Sequence, residues 1–307
     1  MILSILTVLG GIIVLAIAAD TAVDAAEGVS KQLGISPIIV GSLVVGLGTS
    51  LPEMVVSSIA AAQRDTIDLA ASNIVGSNLA NLTLALGAAA LITHVTAPRE
   101  IFVREGGLML AAAALFGGFA LTGRLEQWHG IALLIVMIGA AIMIALNGPA
   151  ETTSKIVHID RRKISQAFIT ALIALIGVVI GAQLLVSGAV DIAKELGVSE
   201  ALTGLTIVSI GTSLPEIATA VAAARRGSVE LIIGNVFGSN IFNALAVGGV
   251  AGILGTGEIV ETTNTSLWIM IGVSAIVLTV GLVGRGYSRS TGIALLLAYP
   301  VILIFAT

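Results

Sequence analysis

Six residues, Gly-Thr-Ser-Leu-Pro-Glu, occur twice in this chain, as Gly48–Glu53 and Gly211–Glu216, and each copy interrupts an otherwise uncharged apolar run. The spacing that relates the copies also aligns Lys31–Ser36 with Lys194–Ser199. One residue less aligns Asn73–Asn78 with Asn235–Asn240, both containing Gly-Ser-Asn. The chain is therefore read as two homologous halves, and whatever fold one half adopts the other must repeat.

The solvent of that fold follows from composition. Hydrophobic residues make up 57% of the 307, charged residues only 10%, and mean hydropathy is +1.10, whereas a soluble domain carries about a quarter charged side chains. Apolar stretches long enough to cross ~30 Å of hydrocarbon recur throughout, and no alternating strand pattern of the membrane-barrel kind is present. The reading is an all-α polytopic membrane protein. Ten transmembrane helices are expected: Ile2–Asp20 (continuing towards Gly28), Pro37–Ala62, Leu69–Ile92, Gly106–Thr122, Trp128–Leu146, Ala167–Val190, Ala201–Ala224, Leu231–Leu254, Leu267–Val283 and Thr291–Phe305. Five fall in each half, 1–153 and 167–307, with a polar connector at 154–166.

Lysines and arginines orient the spans, because short loops rich in them stay cytoplasmic. One set of alternate loops holds Lys31, Arg99, Arg104, Lys155, Arg161, Arg162, Lys163, Arg225, Arg226, Arg285 and Arg289; the other holds Arg64, Arg124 and Lys194. Both termini are expected outside the cytoplasm and the connector within it. Five spans per half is an odd number, so the second half enters the membrane from the opposite side and the repeats are inverted.

Inverted repeats with matching interrupted helices are the signature of secondary transporters, whose substrates bind near the bilayer midplane. Pro52 and Pro215 supply the interruptions here, each removing an N–H and freeing the carbonyl four residues earlier, at Gly48 and Gly211. Glu53 and Glu216 follow at mid-span, where an ionised side chain costs ~2.5–3.5 kcal/mol on insertion scales. A protonated, hydrogen-bonded glutamic acid in a helix interface is the bland alternative, and duplication at matching depth weighs against it. Thr49 and Thr212 lie one turn before the glutamates and share their helix face, with Ser50 and Ser213 beside them. Carboxylate, hydroxyl and carbonyl oxygens together make a hard-cation site. Opposite them, Asn73, Ser77 and Asn81, and likewise Asn235, Ser239 and Asn243, recur every four residues along one stripe. Interhelical hydrogen bonding is the competing role for Asn73, Asn78, Asn235 and Asn240; ligation is favoured for Ser77, Asn81, Ser239 and Asn243. Gly76 and Gly238 allow close helix approach.

These paired motifs in inverted five-helix halves resemble the cation/Ca²⁺ exchanger superfamily, with the prokaryotic Na⁺/Ca²⁺ exchanger branch the nearer match. The resemblance covers essentially the whole chain. It implies two alpha repeats, here 41–87 and 204–248, that meet at the bilayer centre and bind Ca²⁺ and Na⁺ in competition. By motif position it makes Glu53 and Glu216 the shared carboxylates, Thr49, Ser50, Thr212 and Ser213 their neighbours, Ser77, Asn81, Ser239 and Asn243 the opposing ligands, and the main-chain oxygens of Gly46 and Ser209 further ligands. It also implies that the first and sixth helices slide as a pair. The expected activity is secondary active exchange of Ca²⁺ for Na⁺ by alternating access, with no cofactor, the two ions as cargo and the lipid bilayer as partner. Asn243 stands where many relatives, K⁺-dependent exchangers included, carry Asp, and Ser72 stands opposite Gly234. The first departure weighs against a K⁺ site, and the motif Ser72–Asn78 lacks the acids of proton-coupled members. H⁺/Ca²⁺ or K⁺-dependent antiport, or a cation channel, are the alternatives.

Other classes fare worse. No cysteine occurs, which removes disulfides and thiolate metal sites. An intramembrane enzyme would need a G-x-S-x-G elbow, an H-E-x-x-H pair or a mid-span histidine base, and His94, His129 and His158 all fall at loops or span ends. Nothing points to nucleic acid. Asp68 and Glu230 open the third and eighth spans, and Asp20, Asp24 and Glu27 line the end of the first, where each could attract cations or simply be solvated.

Overall fold

The computed structural model describes residues 1–63, 67–147, 161–198, 209–255, 258–259 and 261–306. Among them the chain is helical, with one antiparallel bridge, Val95 with Tyr287, tying two loops together. We number the helices α1 (Ile2–Leu33), α2 (Pro37–Thr49), α3 (Leu51–Ala62), α4 (Ile67–Ile92), α5 (Arg99–Ala120), α6 (Gln127–Asn147), α7 (Arg161–Glu195), α8 (Leu214–Arg226), α9 (Val229–Leu254), α10 (Glu261–Val283) and α11 (Arg289–Ala306). Seven are long and apolar enough to cross a membrane, an eighth span results if α2 and α3 count as one bent at 46°, and α11 is a shorter apolar helix. This is an all-helical polytopic membrane protein. Residues 201–208 of the expected seventh span, and 154–160 of the connector, lie outside the described residues.

Local sequence explains most of the helix ends. α1 stops because Gly34 adopts the left-handed conformation (φ 64°, ψ 30°) that only glycine takes cheaply, returning its N–H to the Ser30 carbonyl. Two residues on, the Ser36 hydroxyl accepts the Ile38 N–H and Pro37 occupies the first turn, so α2 begins. Two expected edges move. α5 starts at Arg99 rather than near Gly106, because Pro98 presets a helix start, and α7 starts at Arg161, inside the segment read as connector.

The interruptions also sit differently from expectation. Each proline lies in the first turn of the second helix, where a missing N–H costs nothing; the break itself falls two residues earlier. Ser50 (φ −86°, ψ 6°) separates α2 from α3, and Ser213 (φ −89°, ψ 2°) stands before α8 in the same way. Further irregularities are not visible in the sequence. Gly41–Gly46, Asn81–Ala85, Phe102–Gly106 and Asn243–Val247 are wide π turns inside α2, α4, α5 and α9, a feature that often accompanies functional sites.

Packing brings the two halves through one another. The last turns of α4 lie on α8 and α11, and those of α9 on α3 and α6; α4 also meets α10, as α9 meets α5. Small residues permit this, as they must where lipid removes the hydrophobic drive: a Cβ at Gly238 would stand 2.6 Å from the Ser42 Cα of α2. α1 and α7 lie alongside this bundle and pack chiefly on each other.

Candidate cation site at the helix breaks

Glu53 and Glu216 stand in the first turns of α3 and α8, and both are fully buried, with no accessible surface. The lipid face is therefore closed to them. The two breaks meet: Ser50, three residues before Glu53, donates its hydroxyl to Glu216 Oε1 at 2.9 Å. Each glutamate thus occupies the first turn of a helix, where the positive end of the helix dipole favours negative charge.

α4 and α9 provide the walls. Ser77, Asn81, Ser239 and Asn243 are all buried, and the two asparagines open π turns in their helices. A π turn inserts one residue and rotates the helix beyond it, and the turn begun by Asn81 packs on α8 while that begun by Asn243 packs on α3. Asn235 acts as a brace. Its amide donates to the Glu216 carbonyl at 3.2 Å and to Thr219 Oγ1 at 3.0 Å, and its Oδ1 receives Thr49 Oγ1 at 3.4 Å. In the other half Asn73 donates to Ser57 Oγ at 2.9 Å. Ser57 and Thr219 do not stand out in the duplicated motifs, although a hydroxyl one turn after each glutamate is a readable signal.

The remaining expected ligands divide. The Gly46 carbonyl faces the cluster and already receives Ser50 N, Thr49 Oγ1 and Ser239 Oγ, each at 3.2 Å. Ser77 turns its hydroxyl to the Asn73 carbonyl of its own helix at 2.8 Å. Ser213 is buried in the cluster, whereas Thr212 is half-buried and lines an apolar groove beside α7. Ser209 begins a single helical turn, Ser209–Gly211.

The oxygens left over define the chemistry. Among the described residues, both carboxylate oxygens of Glu53, Oε2 of Glu216, the side-chain amides of Asn81 and Asn243 and the Ser213 hydroxyl are buried without a hydrogen-bond partner. An unpaired buried polar group costs ~1–3 kcal/mol, more when charged, and no described ion pair reaches either glutamate. Hard oxygens from carboxylate, amide and hydroxyl, clustered and without a fixed cationic side chain, are a donor set suited to Na⁺ or Ca²⁺. A further buried carboxylate, Glu105 in α5, is by contrast already matched: Arg104 holds it through contacts of 2.6 to 3.0 Å. Its place within a helix is hidden when that stretch is read as a loop.

Residues 3–146 and 166–307 match the sodium/calcium exchanger protein family. The chain is 30% identical to the sodium/calcium exchanger MaX1 of Methanosarcina acetivorans, across 97% of each chain. It is 35% identical to the inner membrane protein YrbG of Escherichia coli, covering 84% of this chain and 82% of that one. Among solved structures, the sodium-calcium exchanger NCX_Mj, from a sample soaked with Na⁺ and no Ca²⁺, superposes with a TM-score of 0.88 at 27% identity, covering 99% of this chain and 98% of that one.

Proposed function

This chain belongs to the sodium/calcium exchanger protein family, and from that membership we propose that it exchanges Ca²⁺ for Na⁺ across its membrane by alternating access at the cluster around Glu53 and Glu216. The observation that carries the reading is the set of unpaired buried oxygens contributed by both helix breaks and by the π turns at Asn81 and Asn243. Two carboxylates balance one Ca²⁺ or two Na⁺, and any further Na⁺ would leave the loaded site positive, so exchange is electrogenic if more than two Na⁺ bind. Competition for the same carboxylates prevents joint occupancy. An empty site, doubly negative, resists movement through the apolar interior; a loaded one does not.

Glu53, Glu216, Ser213, Asn81 and Asn243 are the ligands best supported by burial and free oxygens, and Ser50 is added through its bond to Glu216. Thr49, Ser77 and Ser239 join them once their hydroxyls rotate away from present acceptors, the Gly46 carbonyl joins once Thr49 and Ser239 release it, and Ser209 and Thr212 complete the second half on the ground of repeat equivalence. Ten spans in two inverted repeats, 1–153 and 167–307, are the architecture that accommodates this. Its supports are the paired breaks at Ser50 and Ser213, the paired π turns at Asn81 and Asn243, and packing contacts that recur between halves. The Lys/Arg distribution puts both termini outside the cytoplasm.

Coupled flux tests the exchange. Purified protein in liposomes should accumulate radioactive Ca²⁺ when an outward Na⁺ gradient is imposed, and not when Na⁺ is equal on both sides. Uptake that ignores Na⁺ and follows an imposed pH gradient would assign the chain to proton coupling, and uptake independent of any counter-gradient would make it a channel.

A further inference from the structure

α1 and α7 pack together as a close pair. Gly11 and Gly181 let their backbones touch, a Cβ at Gly181 standing 2.5 Å from Leu15 N, and each helix packs far more on the other than on anything else. Two clefts separate this pair from the bundle. One, of about 860 Å³, lies between α7 and α2–α3, with Leu51, Val55, Leu172 and Val179 on its walls. The other, of about 170 Å³, lies between α1 and α8, with Ala16, Asp20, Ala218, Ala222 and Arg225 on its walls. The repeat spacing relates the clefts, since Val55 is equivalent to Ala218 and Val179 to Ala16. The wide cleft continues past the second break to Gly211, Thr212 and Pro215, whereas the narrow one lies farther along α8, where α1 sits close.

Charge marks the tight side. Arg226 at the end of α8 pairs with Asp24 of α1, and Ser228 donates to Glu27 nearly one turn further along α1. Glu27 in turn holds Lys31 at 3.0 Å. At the equivalent positions of the wide cleft, Asp24 and Glu27 become Ser187 and Val190, and Arg226 becomes Gln63. Ser187 turns its hydroxyl back onto the Leu184 carbonyl of its own helix at 3.1 Å. These equivalent positions are uncharged and cannot form the same ion pair in any conformation.

Resting on the exchange reading, we propose that Asp24 and Arg226, supported by Glu27 and Ser228, are a one-sided latch that holds the cleft between α1 and α8 shut and so sets which membrane face the ion site opens to. Opening this cleft requires α1 to leave α8, which breaks the contacts; the positions equivalent to Asp24, Glu27 and Arg226 at the other cleft carry no charge and hold no such ion pair. A solvent-exposed ion pair shifts such an equilibrium by about twofold to fivefold, enough to bias access without locking the carrier.

The chain contains no cysteine, so Ala222→Cys, at a position only 3% exposed in the latched cleft, introduces a single thiol. In proteoliposomes of the full chain, its rate of modification by a water-soluble maleimide reports how often the cleft opens. Asp24→Asn and Arg226→Gln are each expected to raise that rate about threefold, and the charge-exchanged protein, Asp24→Arg with Arg226→Asp, to return towards the parent rate. A local field effect on the thiol would instead move the two single variants in opposite directions, which overturns the latch. Unchanged rates in both overturn it too, as does a folded charge-exchanged protein that reacts as fast as the single variants. Labelling needs no transport: a parent protein without Na⁺-driven Ca²⁺ uptake would defeat the exchange reading while these rates still judged the latch.

Discussion

Around Glu216, Ser50 reaches across the molecule to a carboxylate oxygen at 2.9 Å, and Asn235 ties the Glu216 carbonyl to Thr219 and Thr49. Around Glu53 the same residue types leave more undone: Ser213, equivalent to Ser50, and both Glu53 oxygens have no partner among the described residues. The clefts along α7 and α1 differ likewise: one of about 860 Å³ runs beside both breaks, and one of about 170 Å³ lies farther along α8. Identical hexapeptides thus occupy unequal surroundings. On the proposed reading, two inverted repeats would have to do this in any state open to one side only, because a symmetric arrangement would open both faces or neither. The difference lies in tertiary contacts, not in local chemistry.

Neutralising each glutamate in turn probes the two halves most severely. Glu53→Gln and Glu216→Gln should each lower Na⁺-driven Ca²⁺ uptake by about 100-fold or more, ~2.7 kcal/mol of lost stabilisation for the divalent ion. Ser50 can still donate to a side-chain amide oxygen at position 216, so the second variant should keep its folded stability while losing transport. Ordinary Ca²⁺ exchange by either variant removes that residue from the site.

Next in size is a substitution that the other half already carries. Gly234 is equivalent to Ser72, but a Cβ at Gly234 would stand 2.6 Å from the Ile38 carbonyl and 3.0 Å from Gly41 Cα. Gly234→Ser should force α9 off α2 at a cost of ~1–3 kcal/mol or more, seen as a lower unfolding temperature in detergent and weaker transport. A variant as stable as the parent would mean that α2 and α9 do not press together at this point.

How far the sequence can be read obeys the same division. The breaks, the glutamates and the polar stripes of α4 and α9 are legible because duplication singles them out from an apolar background. The sequence places the breaks two residues too late, since Pro52 and Pro215 look like helix breakers and act as first-turn residues. The π turns are not legible: Asn81–Ala85 and Asn243–Val247 contain no residue that forbids an ordinary helix, and they occur where α4 and α9 pack against α8 and α3. Nor is the pairing of Asp24 with Arg226, two positions joined only once α1 lies beside α8. The repeat makes pairs of equivalent residues readable and hides the ways in which each pair differs.

A subtler contrast sets Ser50 against Ser213. Removing the Ser50 hydroxyl leaves a second Glu216 oxygen unpaired, so Ser50→Ala should cost ~1–2 kcal/mol in ion-free buffer and raise the half-saturating Na⁺ concentration a few-fold. Ser213→Ala removes a hydroxyl that pairs with nothing among the described residues, so in ion-free buffer it should be neutral or slightly stabilising, while shifting Na⁺ dependence by a similar factor if the hydroxyl ligates the ion. Equal stability losses in the two would show that the halves are equivalent in solution, and the asymmetry would then belong to a minor state.

Ser72→Gly is the smallest change and isolates packing from transport. Ser72 shares a hydrogen with Thr263 across 3.2 Å, and Thr263 also donates to Asp68 at 2.7 Å, so α4 is fastened to α10 through a hydroxyl pair where α9 meets α2 by direct backbone approach at Gly234. Glycine at position 72 gives up that contact and adds backbone freedom inside a helix, together ~1 kcal/mol. Because Thr263 keeps Asp68, and because position 72 precedes Ser77 by more than a turn, Na⁺-driven Ca²⁺ uptake should stay within about twofold of the parent while the unfolding temperature falls by a few degrees. A large loss of uptake at unchanged stability would instead make Ser72 part of the ion path on that side, and the departure from Gly234 would then be functional, not a second way of holding two helices together.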